Sequence, residues 1–279
     1  MSLQKSLDLS VIIPFKDKSK MTLEAVLSLF EFGPKIKEVL LVSNNSSAEE
    51  LSKVKSAAAE YDNVKVLEYN HPFNYQKINN WAVAHTAGQF ILFLNNDTEL
   101  KEASRGTLEH MYELAKKSDI GMVGCTLLYG DARTIQHAGV YLRPGSLGDH
   151  IYIGKLYKKA LSRENKNEFP YAIDQDRETS AVTGAVQIVE KKKFDAVKGF
   201  DERFIIGGGD VDLCLRLNKA GYKTVLAGKG YILHKESQSR SHLPITFSDF
   251  YYSYLSYIEG FDFKVGDPLS PEITKGMTK

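Results

Sequence analysis

Three side chains stand where chemistry could be done: Asp97, Asp210 and His234. Asp97 closes an apolar run behind two asparagines, Asn95 and Asn96, and precedes Thr98 and Glu99. Hard carboxylate oxygens in such a turn suit Mg²⁺ or Mn²⁺. Taken alone, Asn-Asn-Asp-Thr reads first as a turn whose Asp or Thr caps the next helix. Asp210 comes after three glycines at 207–209 and opens a segment with Leu213, Leu217 and Ala220 at helical spacing. Glycine lets the backbone approach a ligand closely. A carboxylate at a helix start, favoured there by the dipole, could take a proton from a bound hydroxyl. An N-cap reading competes on even terms, with Asp212 a second acid in the same turn. His234 ends a short apolar segment before Glu236, Ser237 and Arg240. Neutral imidazole is a common metal ligand, but a lone histidine is more often an ordinary hydrogen-bonded residue. His137 carries a weaker signal still. Lys16, Lys77 and Arg240 could neutralise a diphosphate or simply be solvated.

The elements that must position these groups alternate. Residues 9–13 read as a buried strand that Pro14 ends. Leu23, Val26, Leu27 and Phe30 then recur at helical spacing. Strands are expected at 38–42, 64–67 and 90–94, with helices striped by Leu51, Val54, Ala58 and Tyr61, and by Ile78, Trp81, Ala82 and His85. Gly88 stands where a helix-terminating glycine is expected. Strand–helix alternation implies parallel strands joined by right-handed crossovers. Ligands of such sheets bind beyond the carboxyl ends of the strands, which singles out segments 15–17, 43–46 and 95–97. The second half is less regular. Strands are expected at 121–128, 182–189, 223–227 and 231–234, and a helix at 211–220. The charged, poorly periodic stretch 144–168 reads as a long functional or mobile loop.

Composition excludes several classes. With 36 Lys+Arg against 35 Asp+Glu, the formal charge is +1 over 279 residues, which argues against nucleic acid as a partner. The 43% hydrophobic and 25% charged content is that of a globular chain. No apolar run reaches the roughly 18–20 residues that span a bilayer, and no secretory leader is visible, so a cytoplasmic location is expected. Cys125 and Cys214 read as buried free thiols. There is no Gly-x-Gly-x-x-Gly fingerprint, Walker loop or Gly-x-Ser-x-Gly elbow.

The order of short motifs is more specific than any one of them. Val11-Ile-Ile-Pro-Phe15, Phe73-Asn-Tyr75 with Asn79 and Asn80, Phe93-Leu-Asn-Asn-Asp-Thr-Glu99, Thr183-Gly-Ala185, Gly199-Phe-Asp-Glu-Arg-Phe204, Asp210-Val-Asp-Leu-Cys-Leu-Arg216, and His234 with Ser237 occur in sequence. The series resembles the inverting family 2 glycosyltransferases of the GT-A fold, nearest to the bacterial branch that builds O-antigen and capsule, rhamnosyltransferase-like members included. The resemblance spans residues 9–240. It implies an α/β fold with a Rossmann-like, mostly parallel sheet and helices on both faces. It also implies sugar transfer from a nucleotide-sugar donor, UDP- or dTDP-linked, to a saccharide or lipid-linked saccharide, with Mn²⁺ or Mg²⁺ as cofactor. By resemblance, Pro14, Phe15, Lys16, Ser43, Asn44, Lys77 and Asn96 belong to the nucleotide site. Asp97 and His234 would hold the metal, and Asp210 would be the general base. Thr183, Gly184, Asp212, His137 and Arg240 would line the sugar and acceptor side.

Two positions depart from the family pattern. Ser43 stands where an Asp commonly contacts the nucleotide, and Gly209 replaces the Glu that usually precedes the catalytic Asp. A catalytically impaired nucleotide-sugar-binding module of the same fold is therefore a rival, and a nucleotidyltransferase a more distant one. The expected organisation is a catalytic domain at 1–245, an aromatic segment at 246–263 packed on it, and a polar tail at 264–279. Peripheral association with the inner face of the membrane is compatible with that aromatic segment. Part of 144–168 is expected to close over the donor.

Overall fold

The computed structural model describes residues 6–143, 146–235, 245–260 and 267–274. Its first half runs β1 (Leu7–Phe15), α1 (Ser19–Phe32), β2 (Ile36–Ser43), α2 (Ala48–Ala58), β3 (Val64–Glu68), α3 (Tyr75–Val83) and β4 (Phe90–Leu94). Strands β1, β2, β3 and β4 are mutually parallel in the order β3-β2-β1-β4. Both faces of this sheet are buried, which is why β1, β2 and β4 read as almost unbroken apolar runs. The pleat sends alternate residues to opposite sides. Ile91 and Phe93 join one core with Ile78 and Ala82 of α3. Phe90, Leu92 and Leu94 join the other, with Val26 and Leu29 of α1.

The chain continues through β5 (Thr98–Glu99), α4 (Thr107–Ala115), β6 (Ile120–Leu128), β7 (Ile135–His137), β8 (Val140–Arg143), β9 (Ser146–His150), α5 (Tyr157–Ser162), β10 (Arg177–Glu178), β11 (Val186–Glu190), α6 (Lys191–Ala196), α7 (Gly209–Lys219) and β12 (Lys223–His234). Two C-terminal helices complete it, α8 (Phe247–Gly260) and α9 (Pro271–Thr274). The sheet extends beyond β4 through an antiparallel β11, then β6, β12 and β10. The sheet is mostly parallel, as expected, with β11 the reversed strand at its centre.

Several expectations change on contact with the structure. The strands expected at 223–227 and 231–234 are one strand, β12, with a register irregularity between Ala227 and Ile232. Gly88 is not a helix cap: a Cβ there would lie 2.6 Å from Ser10 Oγ and 2.7 Å from Ser10 N, so glycine serves close approach to β1. Leu27 is exposed, and α1 buries Thr22, Ala25, Val26 and Leu29 instead. The stretch 144–168, expected as a long functional or mobile loop, contains β9, which pairs with β8, and α5, with Ile151, Tyr152 and Ala160 buried.

Of the tail expected at 264–279, residues 267–274 are described. Asp267 is fully buried, accepting from Leu142 N at 2.8 Å and from Ser180 Oγ at 2.7 Å, so residues 267–274 are docked on the body. Helix α8 docks through one face, where Tyr252 lies 6.1 Å from Phe204. Its opposite face exposes Phe247, Phe250, Tyr251 and Tyr254. Among the described residues, no helix is long and apolar enough to cross a membrane.

Phe93 locks the α3 face of the sheet, fully buried between Phe194 at 5.6 Å and Phe200 at 5.0 Å between ring centroids. Phe93→Ala is expected to cost about 3–5 kcal/mol, read as a lower urea midpoint with an unchanged m-value.

Candidate active site

The site grows from the carboxyl end of β4. The chain leaves the sheet at Leu94 and turns through Asn95 and Asn96, where Thr98 N and Oγ1 both donate to Asn95 O. It then forms the two-residue β5, which pairs antiparallel with the end of β12, setting His234 opposite Thr98 and Leu233 opposite Glu99. This register delivers His234 to Asp97. Nε2 of the imidazole lies 3.0 Å from Asp97 Oδ1, and both side chains are buried.

The other contacts of His234 determine its tautomer. Nδ1 lies 2.6 Å from Gln136 Oε1, an acceptor, so Nδ1 carries the proton and donates. In the neutral imidazole that leaves Nε2 as the lone-pair nitrogen, which accepts from Asn95 Nδ2 at 3.3 Å. A lone pair and a carboxylate oxygen 3.0 Å apart repel unless positive charge lies between them. Two ligands bound at right angles to one small divalent cation, each about 2.1 Å from it, stand about 3 Å apart. The pair therefore fits such an ion, and Gln136 is the outer partner that orients its imidazole. Among the described residues, no group of three or more His, Cys, Asp or Glu could hold a metal.

The third group is linked to this pair through a series of polar contacts. Asp210, in the first turn of α7, accepts from Gly184 N through Oδ2 at 2.7 Å and from Val211 N through Oδ1 at 3.0 Å. Gly184 O accepts from the Tyr75 hydroxyl at 2.8 Å, and that hydroxyl is 3.4 Å from Asn95 Oδ1. A continuous polar path thus joins Asp210, Gly184, Tyr75, Asn95, His234 and Asp97. The loop before α7 is braced from outside. Asp249 of α8 accepts from Ile205 N and Ile206 N, and Tyr75 N donates to Ile205 O.

Pro14, Lys16, Ser43 and Lys77 lie at the carboxyl ends of β1 and β2 and in the first turn of α3, with Lys16 and Lys77 exposed. Asp17, Lys18 and Asn45, in the same loops, have positive φ of 52°, 51° and 54°. Non-glycine residues adopt that region at a cost, and such strain concentrates at functional sites.

Other expectations are corrected. Phe15 is a core side chain in the cluster with Val26 and Leu29. Asn44 spends its amide on Tyr69 O and His71 O, and Asn96 donates to Thr22 Oγ1, so both support the loops from beneath. Asp212 points away from Asp210, because two residues along a helix is a rotation of about 200°. It pairs with Arg216 Nε at 2.8 Å and accepts from Ser256 Oγ at 2.7 Å. His137 is fully buried beneath Thr183, whose N lies 3.4 Å from its Nε2, and Gly139 N lies at 3.2 Å. It supports the turn at Thr183 and Gly184 from beneath. Thr183 is partly exposed beside Gly184, while Arg240 and Ser237 lie outside the described residues. Gln136, Asn95 and Tyr75 had no assigned roles. Asn95 and Tyr75 stood within the quoted motifs, and Gln136 only beside His137.

The chain matches the family model described as glycosyl transferase family 2 over residues 10–175. It belongs to glycosyl transferase family 2. The O-antigen biosynthesis protein RfbC of Myxococcus xanthus is 36% identical over 273 residues, 96% of this chain and 20% of that protein. The N-acetylglucosaminyl-diphospho-decaprenol L-rhamnosyltransferase of Mycobacterium tuberculosis is 35% identical over 69 residues, 25% of this chain and 22% of that protein. The chain thus spans about a fifth of the length of each of these relatives. The structure of the mannosyltransferase PcManGT from Pyrobaculum calidifontis, in complex with GDP-Man and Mn²⁺, superposes with a TM-score of 0.60 at 16% identity, covering 84% of this chain and 59% of that one. The shared fold is GT-A-like, and the family is one of sugar-transferring enzymes.

His137 supplies a measurable consequence of this architecture. Burial, reinforced by His150, Arg177 and His234, holds its imidazole well below the usual range. The unfolded chain therefore binds the extra proton, and stability falls as pH drops through about 6.5. Between pH 7.5 and 5.5 the wild type is expected to lose about 1 kcal/mol more than His137→Gln, measured by chemical denaturation. Equal losses in the two proteins would contradict this.

Proposed function

We propose that this chain is an inverting, divalent-metal-dependent glycosyltransferase of bacterial surface-polysaccharide synthesis. It takes a sugar from a UDP- or dTDP-linked donor and passes it to a saccharide or lipid-linked saccharide, on the cytoplasmic side and at the inner face of the membrane when the acceptor is lipid-linked. The observation that carries the reading is the hydrogen-bonded path that joins Asp210 to the Asp97–His234 pair. The O-antigen relative and the rhamnosyltransferase support the polysaccharide setting. The complex of PcManGT with GDP-Man and Mn²⁺ supports a nucleotide sugar and a divalent ion.

Asp97 and His234 would hold Mn²⁺ or Mg²⁺, which supplies charge neutralisation to a departing diphosphate. The loops after β1 and β2 would seat the nucleotide, with Lys16 and Lys77 available to its phosphates. An acceptor hydroxyl is a weak nucleophile until it loses its proton, and Asp210 would take that proton as the oxygen bonds to the anomeric carbon. The bond from that carbon to the phosphate oxygen breaks on the opposite side, so configuration inverts in one displacement. Gly184 N–H and Val211 N–H fix the Asp210 carboxylate and leave it further lone pairs for the proton.

The test is nucleoside diphosphate release from a panel of UDP-, dTDP- and GDP-sugars with Mn²⁺. Wild type is expected to turn over at least one donor, and Asp210→Asn to lose about 10²–10⁴-fold with its thermal midpoint retained. A wild type inert toward every donor, yet stabilised by one of them, would point instead to the impaired binding module.

A further inference from the structure

Helix α7 begins under conditions that should leave its first turn loose. Its N-cap is Gly208, at φ 86°, and no side chain caps it. Gly209 is the first helical residue, without the positive φ that would require glycine. Glycine weakens a helix, so another constraint selects it here. That constraint is room. A Cβ at position 209 would stand 2.1 Å from Gln76 Nε2, 2.7 Å from Gln76 Cδ and 2.8 Å from Gln76 Cγ. Turning the amide tip alone would not clear it, because Cγ is also in the way.

Gln76 is itself unusual. It is the second residue of α3, only 1% exposed, and its Oε1 has no hydrogen-bond partner among the described residues. Burying an amide oxygen unpaired is unfavourable, and unfavourable local choices concentrate where function demands them. Both oddities, the room-limited glycine and the unpaired amide, meet at the turn that presents Asp210. The two residues before Gln76 are fixed to the same loop, Tyr75 N donating to Ile205 O and Asn74 Nδ2 to Glu202 O.

We propose that Gln76 is a positioning residue for Asp210: its side chain fills the space of the missing residue-209 side chain and holds the uncapped start of α7 against α3. This rests on the reading of Asp210 as the base, yet the contact can be tested without turnover, because Gly184 N–H reports directly on the Asp210 carboxylate.

The experiment is a cycle of wild type, Gln76→Ala, Gly209→Ala and the double variant, each read by thermal midpoint, by hydrogen exchange of the Gly184 amide, and by kcat and KM with UDP- and dTDP-sugars. Gln76→Ala is expected to speed Gly184 exchange at least about 10-fold and to lower kcat by a similar factor, with little change in donor KM. Gly209→Ala is expected to lower the midpoint when Gln76 is present and to raise it in the Gln76→Ala background, where alanine has space and favours the helix. The double variant should regain part of both the Gly184 protection and kcat. Gly209→Ala acting alike in both backgrounds would overturn the pairing. Unchanged Gly184 exchange in a folded Gln76→Ala would overturn the positioning role. Absence of turnover in wild type would count against the proposed function, while exchange and midpoint still decide this inference.

Discussion

The constraint on which the site depends is the approach of two negatively inclined atoms, Asp97 Oδ1 and His234 Nε2, to 3.0 Å. Gln136 makes that approach consequential. By accepting from Nδ1, it orients the ring so that Nε2 faces the carboxylate, and in the neutral imidazole that nitrogen presents its lone pair. Left without compensating charge, this arrangement is repulsive. The fold holds the two atoms together through backbone register, with β5 hydrogen-bonded to the last residues of β12. Its energy comes from the two apolar layers around the sheet rather than from the pair.

The remaining architecture links this pair to Asp210. Tyr75, from the start of α3, spans from the loop after β4 to the turn before β11, and Gly184 carries the path to α7. The outer brace is α8, which fixes the 205–206 backbone through Asp249 and Asp212 through Ser256. Residues 267–274 fasten Ser180, just upstream of Thr183 and Gly184, through the buried Asp267. Three distant stretches of sequence are thus spent on holding one short turn still.

Much of this could be read from the residues because the physics was local. The apolar runs of β1, β2 and β4 and the polar segments after them announce a sheet buried on both faces with a ligand edge. Asp97, Asp210 and His234 stood out because each carboxylate or imidazole sits at an element boundary. What escaped reading was set by tertiary register or by space. Gln136 looks like any polar residue in a strand until β7 is paired beside β6, next to β12. Asp212 was placed with the sugar site because it follows Asp210 so closely, but the helix turns it toward Arg216 and Ser256. The stripe containing Leu27 was misjudged because the core accepts Thr22 and Ala25 in place of a larger residue. Gly88 looked like a helix terminator and Gly209 like room for a ligand, but each makes room for a neighbouring residue, Ser10 or Gln76.

The central claim is that an aspartate from the middle of the chain and a histidine from a late strand together form a seat for a divalent cation. Anomalous diffraction at the manganese edge, on crystals grown with Mn²⁺ and UDP, examines it most directly. The account predicts one strong peak within bonding distance of both Asp97 and His234 Nε2, with Gln136 still holding Nδ1. A peak bound elsewhere, or none at that position while the nucleotide is clearly seated, would contradict it.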